Sequence, residues 1–262
     1  MEKKPSFALI TGASQGLGRA MAFELAKRKT NLLLVALPNE NLQQLAAQLA
    51  DFQILVHCFE TDLSLRENVL SLSQTINQNY QVSILINNAG RGGSKRFEEV
   101  ELDYIDGILQ LNIVATTLLT HLLLPNLRQQ NQAWILNVSS MAAFSPIGFK
   151  TVYPASKAFI RHWSLGLREE LKGSGVSVCV VYPGPMKTNQ DVTQRIENQG
   201  FKGNIGLLTP EDVAVIALRQ MFQNRATITP GFTNKLTRIL MASLPNWLKI
   251  PLISGAVKKE IK

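Results

Sequence analysis

The stretch FALITGASQGLG, residues 7–18, decides how the chain is read. Its first four residues are apolar and read as a short strand. Thr11 follows, then Gly12, Gly16 and Gly18 interleaved with Ala13, Ser14, Gln15 and Leu17, and helical spacing begins beyond them. A turn of this composition presents backbone N–H groups at a helix N-terminus, where the helix dipole favours an anion. Its glycines let the backbone approach a pyrophosphate without Cβ clashes. No Gly-Lys-Ser/Thr follows, so it is not the phosphate loop of a nucleotide hydrolase. Its spacing is GxxxGxG rather than GxGxxG.

Outward from that turn, apolar runs alternate with helical patterns. The runs are 7–10, 32–37, 54–59, 82–86, 134–138 and 176–182, with a weaker one at 226–230. They are rich in Val, Ile and Leu and nearly unbroken, as strands buried on both faces should be. Leu42, Leu45, Ala46 and Leu49 repeat at i, i+3, i+4 and i+7. Ser64-x-x-Glu67 reads as a capping box, and Thr209 before Pro210, Glu211 and Asp212 as a second helix start. This alternation predicts an α/β fold: one doubly wound parallel sheet of about seven strands, with helices on both faces. No linker composition interrupts it, so residues 1–262 read as one domain.

Composition narrows the function classes. Of 262 residues, 45% are hydrophobic and 18% charged, which suits a sizeable core and argues against disorder. Cys58 and Cys179 are far apart, which disfavours a disulfide framework and fits a reducing cytoplasm. His57, His121 and His162 have no metal-ligand spacing, and no metal is expected. No unbroken apolar run reaches the 18 or so residues of a membrane span. The net charge is +8, and from Gly231 onward six basic residues face one acid, Glu260. Nucleic-acid binding would need a basic stripe with aromatic platforms, and none is present.

Four motifs then stand in order: TGASQGLG at 11–18, NNAG at 87–90, Tyr153-x-x-x-Lys157, and PGPMKT at 183–188. Together they resemble the single-domain branch of the short-chain dehydrogenase/reductase family over roughly residues 6–190. The resemblance implies a Rossmann-type sheet holding NAD(H) or NADP(H). It places Gly12, Ser14, Gln15, Gly16, Leu17 and Gly18 in the dinucleotide turn. Asp62 and Leu63 would meet the adenine, Asn88, Ala89 and Gly90 the adenosine side, and Pro183, Gly184 and Thr188 the nicotinamide. It assigns Asn112, Ser140, Tyr153 and Lys157 to catalysis. Ser140 precedes Tyr153 by 13 residues and fits the family spacing, whereas Ser139 does not.

The chemistry of the Tyr153 and Lys157 pair agrees. Residues i and i+4 share a helix face, so the two side chains can converge. A tyrosine with a pKa of about 10 rarely ionises at neutral pH, and a nearby cation lowers that value. Pro154 disfavours a helix at Tyr153 unless the helix begins near Val152. A non-catalytic dinucleotide-binding regulator would typically lack the tyrosine or the lysine. A membrane-surface lipid-binding protein would leave the four motifs unexplained.

At the end of the second run, Ala36 and Leu37 stand where NAD-preferring relatives carry an acid and NADP-preferring ones an arginine. With no acid to repel it, a 2′-phosphate could meet Asn39 or Ser14, so NADP(H) is expected over NAD(H). Residues 184–208 read as a substrate lid. Residues 231–262 read as a basic amphipathic extension. Three readings of it compete: an apolar wall for a lipophilic carbonyl or alcohol substrate, a subunit contact, or a peripheral membrane anchor, with the first two together favoured over the third. A homo-oligomer, dimer or tetramer, is expected by analogy from the helices around 101–124 and 155–171.

Overall fold

A computed structural model describes residues 5–187, 193 and 206–261. Thr188 and most of the expected lid lie outside the described residues. Seven parallel strands form one sheet: β1 (Ser6–Thr11), β2 (Asn31–Ala36), β3 (Val56–Glu60), β4 (Gln81–Asn87), β5 (Ala133–Val138), β6 (Val176–Val181) and β7 (Thr227–Ile228). Their order across the sheet is β3-β2-β1-β4-β5-β6-β7. The chain reverses its direction of travel across the sheet at β1, between β2 and β4, and such switch points open a crevice at the strands' carboxyl ends.

Strand residues alternate between the two faces and so build two cores. Ala8, Ile10, Leu32 and Leu34 pack under α1 (Gly16–Lys27), α2 (Leu42–Leu49) and α7 (Pro210–Phe222). Phe7, Leu9, Leu33 and Val35 face α3 (Arg66–Asn79) and α5 (Thr116–Arg128). Each Leu or Ile buried in this way contributes about 1.5–3 kcal/mol. The central strands are therefore anchored from both sides.

Several boundaries differ from the sequence expectation for local reasons. β3 starts at Val56, not at residue 54, because Gln53 is left-handed (φ 52°) after a tight turn at 50–52. The weak seventh run keeps only two paired residues, and Pro230 beyond it has no N–H for a ladder. The capping box at Ser64 does not form. The helix begins at Arg66 behind Leu65, and the Ser64 hydroxyl and N–H both bond the Asp62 carboxylate, at 2.7 and 2.8 Å. The Thr209 start does form, its hydroxyl accepting from Asp212 N–H at 3.1 Å with Pro210 in first position. Thr209→Ala should therefore cost ~1 kcal/mol of stability. Thermal melting would read that as a fall in Tm, and an unshifted Tm would show that the cap contributes nothing.

Residues 102–128 run as one 27-residue helix, long and apolar enough in composition to cross a membrane. Here its Leu119, Leu123 and Leu127 are buried in the core. Between α4 (Leu102–Leu109) and α5 it widens into a π-helical segment, Gln110–Ala115. Such wide turns are rare and often sit at functional sites. This one carries Asn112. The helix α6 (Val152–Glu170) begins at Val152, so Pro154 lies in the first turn, where its missing N–H is harmless. The chain ends in two further helices, α8 (Phe232–Ser243) and α9 (Asn246–Val257).

Candidate active site

β1 delivers the glycine turn to the carboxyl edge of the sheet, at the switch point. Gly12 has φ +64°, a conformation that L side chains rarely adopt. A Cβ on Gly18 would fall 2.0 Å from the Gly12 carbonyl oxygen, so only glycine lets α1 pack this close to the strand. Gly16 opens α1 and Leu17 is buried beneath it. Gln15 forms no side-chain cap and the first turn has no acid. Its N–H groups thus keep their affinity for an anion.

The Asn88–Gly90 segment is tied to this turn. Asn88 Nδ2 donates to the carbonyls of Thr11 and Gly12, both at 2.9 Å. Thr11 Oγ1 accepts from the N–H groups of Asn88 and Ala89, each at 3.0 Å. Thr11 was not among the site residues expected from the sequence. Only the fold brings it beside residues 77 and 78 positions away.

At one end of the crevice lies an open cleft of ≈ 380 Å³ lined by Ser14, Gln15, Arg19, Glu40, Asn41 and Gln44 among others. The Ser14 hydroxyl donates to the Glu40 carboxylate. A carboxylate in this cleft was not foreseen, because Glu40 follows the strand end by four residues. Asp62 lies just past β3, held by its bonds to Ser64 and by Asn68 Nδ2 on its carbonyl at 3.0 Å. Leu63 next to it is buried.

At the other end Asn112, Tyr153 and Lys157 gather. Asn112 is buried and bonds the Arg91 backbone at both its amide atoms, 2.9 and 3.0 Å. Its Nδ2 also donates to Ser156 Oγ at 3.0 Å, and Ser156 donates to the Tyr153 carbonyl at 2.7 Å. Ser156 thus links the π-helical segment to the first turn of α6, a role no spacing could show. The Lys157 amine donates to the Val138 carbonyl at 2.9 Å and lies 5.8 Å from the Tyr153 ring centre. The Lys150 amine lies 5.6 Å from the same ring. A Cβ on Gly90 would sit 3.1 Å from Asn112 Oδ1 and 3.2 Å from Lys157 Nζ. The same atom built on Gly92 would overlap the Tyr153 ring.

Burial pushes the Lys157 ammonium down to a pKa of about 8. At neutral pH it stays mostly charged, so a cation stands close to the phenol. The two serines divide their work. Ser139 is buried and its hydroxyl donates to the Lys157 carbonyl at 2.8 Å. Ser140 is half-buried and caps the turn Met141–Phe144, its Oγ accepting from Ala142 N–H at 3.1 Å. α6 packs directly against that turn. Pro183 is buried and its carbonyl accepts from Met141 N–H at 3.0 Å, while Gly184 abuts the Asn234 amide.

The fold, the glycine turn and the Tyr153–Lys157 pair agree with the family model for short chain dehydrogenases, which matches residues 6–199. The chain belongs to the short-chain dehydrogenase family. As a member of it, the protein is an oxidoreductase. Among curated short-chain dehydrogenase relatives, a ketoacyl reductase HetN from Nostoc sp. is 30% identical over 89% of this chain and 82% of its own length. A very-long-chain 3-oxoacyl-CoA reductase from Anas platyrhynchos is 33% identical over 68% of this chain, but that match spans 59% of the duck protein. A solved short-chain dehydrogenase from Sphingobium yanoikuyae in complex with NADPH is 28% identical, with a TM-score of 0.78 over 92% of this chain and 96% of that one.

Proposed function

We propose that the protein uses a nicotinamide dinucleotide to interconvert a ketone and a secondary alcohol on a lipophilic substrate. The observation that carries this reading is the joining of Asn112, Ser156, Tyr153 and Lys157 through bonds and contacts beside Gly90 and Gly92. The cradle at Gly12 and Gly18 and the uncapped start of α1 fit a dinucleotide pyrophosphate. When bound there, the nicotinamide supplies or accepts the hydride.

The protein's own residues supply the rest. In reduction, the Tyr153 hydroxyl gives its proton to the carbonyl oxygen as charge develops on it. Ser140 donates a hydrogen bond to the same oxygen and stabilises that charge. The Lys157 cation stabilises the phenolate that Tyr153 becomes. Asn112 holds the Arg91 backbone and Ser156 in place and so fixes the start of α6. In oxidation the same groups act in reverse.

The relatives' names, a ketoacyl reductase and a 3-oxoacyl-CoA reductase, point to an oxoacyl group as the ketone. An apolar cluster of Met141, Phe144, Tyr182 and Met241 backs the turn that follows Ser140 and suits an acyl or similarly apolar substrate. The test is a screen of ketones by cofactor absorbance. For 3-oxoacyl thioesters, kcat/KM should rise with chain length, since each buried methylene is worth about 0.8 kcal/mol. A preference for small polar ketones would overturn the lipophilic reading.

NADP(H) is the proposed cofactor over NAD(H). No acid stands at Ala36 or Leu37, and Arg19 lines the cleft that a 2′-phosphate would enter. Glu40 opposes that charge. Glu40→Gln should tighten NADPH binding about 2- to 5-fold, the effect of one partly exposed charge contact of ~0.5–1 kcal/mol, with NADH little changed. Fluorescence titration of both cofactors reads this. NADH binding at least about tenfold tighter than NADPH in the unmodified protein would reverse the assignment. Pairing between copies would use Leu102, Leu109 and Phe159, which are exposed on α4 and α6.

A further inference from the structure

The two C-terminal helices turn their apolar side chains outward. Phe232, Leu236, Ile239 and Leu240 on α8 and Trp247 and Leu252 on α9 are each between 55% and 82% exposed. The inward side carries polar contacts beside Met241 and Val257. Asn234 Nδ2 bonds the carbonyls of Gly206 and Pro230, Lys249 Nζ bonds the Met241 carbonyl, and Ser254 Oγ accepts from Gly148 N–H. A surface helix normally faces its apolar stripe to the core. The expected Leu236, Ile239, Leu240 and Leu244 stripe exists, but its first three members look outward. A contiguous exposed patch of this kind marks an interaction surface.

The charge around the patch selects the partner. No acidic residue occurs from Val213 to Lys259. The one acid beyond, Glu260, has its side chain 1% exposed, beside Lys150 and bonded to Ser94. The exposed charges that these helices and the residues after them contribute are cationic, Lys235 and Lys258, with half-buried Arg238 between the helices and the domain. A second copy docked patch to patch would bring the lysines of the two helix pairs together, and like charges repel. An anionic bilayer surface meets both features at once: its acyl region takes the apolar side chains and its headgroups attract the lysines.

We propose that α8 and α9 dock the protein onto an anionic lipid bilayer. The docked unit abuts the loop before Tyr153, because α9 bonds Gly148 through Ser254 and Lys150 lies 5.6 Å from the Tyr153 ring. The mouth of the site then opens beside the membrane, where an apolar substrate would be dissolved.

The experiment uses the full chain and two kinds of vesicle: phosphatidylcholine alone, and phosphatidylcholine with one part in four phosphatidylglycerol. The apparent partition coefficient should be at least about tenfold higher for the anionic vesicles and should fall with added salt. Leu236→Glu with Trp247→Glu should lower it at least about tenfold, without lowering Tm, because both side chains are exposed. Lys235→Glu alone should weaken anionic binding several-fold. Equal sedimentation of the unmodified protein and the double variant would overturn the proposal. So would absence of binding to either vesicle. A third overturning result is a dimer in sedimentation velocity that the double variant dissolves while vesicle binding stays unchanged.

Discussion

Tyr153→Phe is expected to lower kcat for ketone reduction by about 10²–10⁴-fold, the range set by a positioned proton donor. The nicotinamide dinucleotide should still bind nearly as before. The substitution removes one hydroxyl and keeps the ring, and it is the ring that lies against Gly92 and 5.8 Å from the Lys157 amine. Ser156 bonds the backbone carbonyl of residue 153, not its side chain, so that link to Asn112 also survives. The lost function is therefore proton transfer, separated from binding and from folding. Steady-state kinetics with a parallel cofactor titration reads both quantities. If Tyr153→Phe turns over at the unmodified rate, the phenol is not the proton donor and the proposed mechanism fails. If instead cofactor affinity collapses with kcat, Tyr153 is part of the binding site rather than the donor.

The sheet was readable because β1, β2, β4, β5 and β6 are buried on both faces, and that burial leaves unbroken apolar runs in the sequence. The start of β3 was not readable, since it depends on a left-handed Gln53, which no hydrophobic pattern encodes. Ser64 matched a capping template, yet its hydroxyl found a better acceptor two residues upstream in Asp62. Local patterns such as capping boxes fail in this way when a neighbouring carboxylate competes. Tyr153 and Lys157 were legible because helical spacing alone puts them on one face. Thr11, Ser156 and the Ser14–Glu40 contact were not, because each acts through partners that the fold brings together. The π-helical segment carrying Asn112 was hidden for the same reason: its backbone hydrogen bonds leave no compositional mark. In the C-terminal helices the periodicity of Leu236, Ile239 and Leu240 was correct, but periodicity does not say whether a stripe faces inward.

Lys157→Met should abolish turnover and at the same time raise thermal stability near neutral pH. Lys157 is 5% exposed, and its ammonium has a backbone carbonyl as hydrogen-bond partner. Burial drives its pKa from the ordinary 10.5 to about 8. At 1.36 kcal/mol per pH unit, keeping it charged in the folded protein costs ~3 kcal/mol, an order-of-magnitude figure. Methionine fills a similar volume without charge, and the charge-assisted hydrogen bond to Val138 that it forfeits is worth about 1.5–3 kcal/mol. A net gain of up to ~1.5 kcal/mol follows, or a few degrees in Tm for a chain of this size. The pH dependence identifies the cause. Below pH 8 the folded and unfolded lysine are both protonated, and the unmodified protein bears the whole cost. Between pH 8 and 10.5 the unfolded state binds more protons than the folded one, so the stability of the unmodified protein rises with pH. The advantage of the variant must therefore be largest at pH 7 and disappear by about pH 10.5. Activity should move the opposite way, because the cation no longer stands beside the phenolate that Tyr153 becomes when it gives up its proton. Melting curves of the cofactor-free protein across this range, set beside kcat at pH 7, test both halves. A variant less stable at pH 7, with a deficit that does not change with pH, would mean that Lys157 is held by favourable contacts rather than retained at a cost to folding.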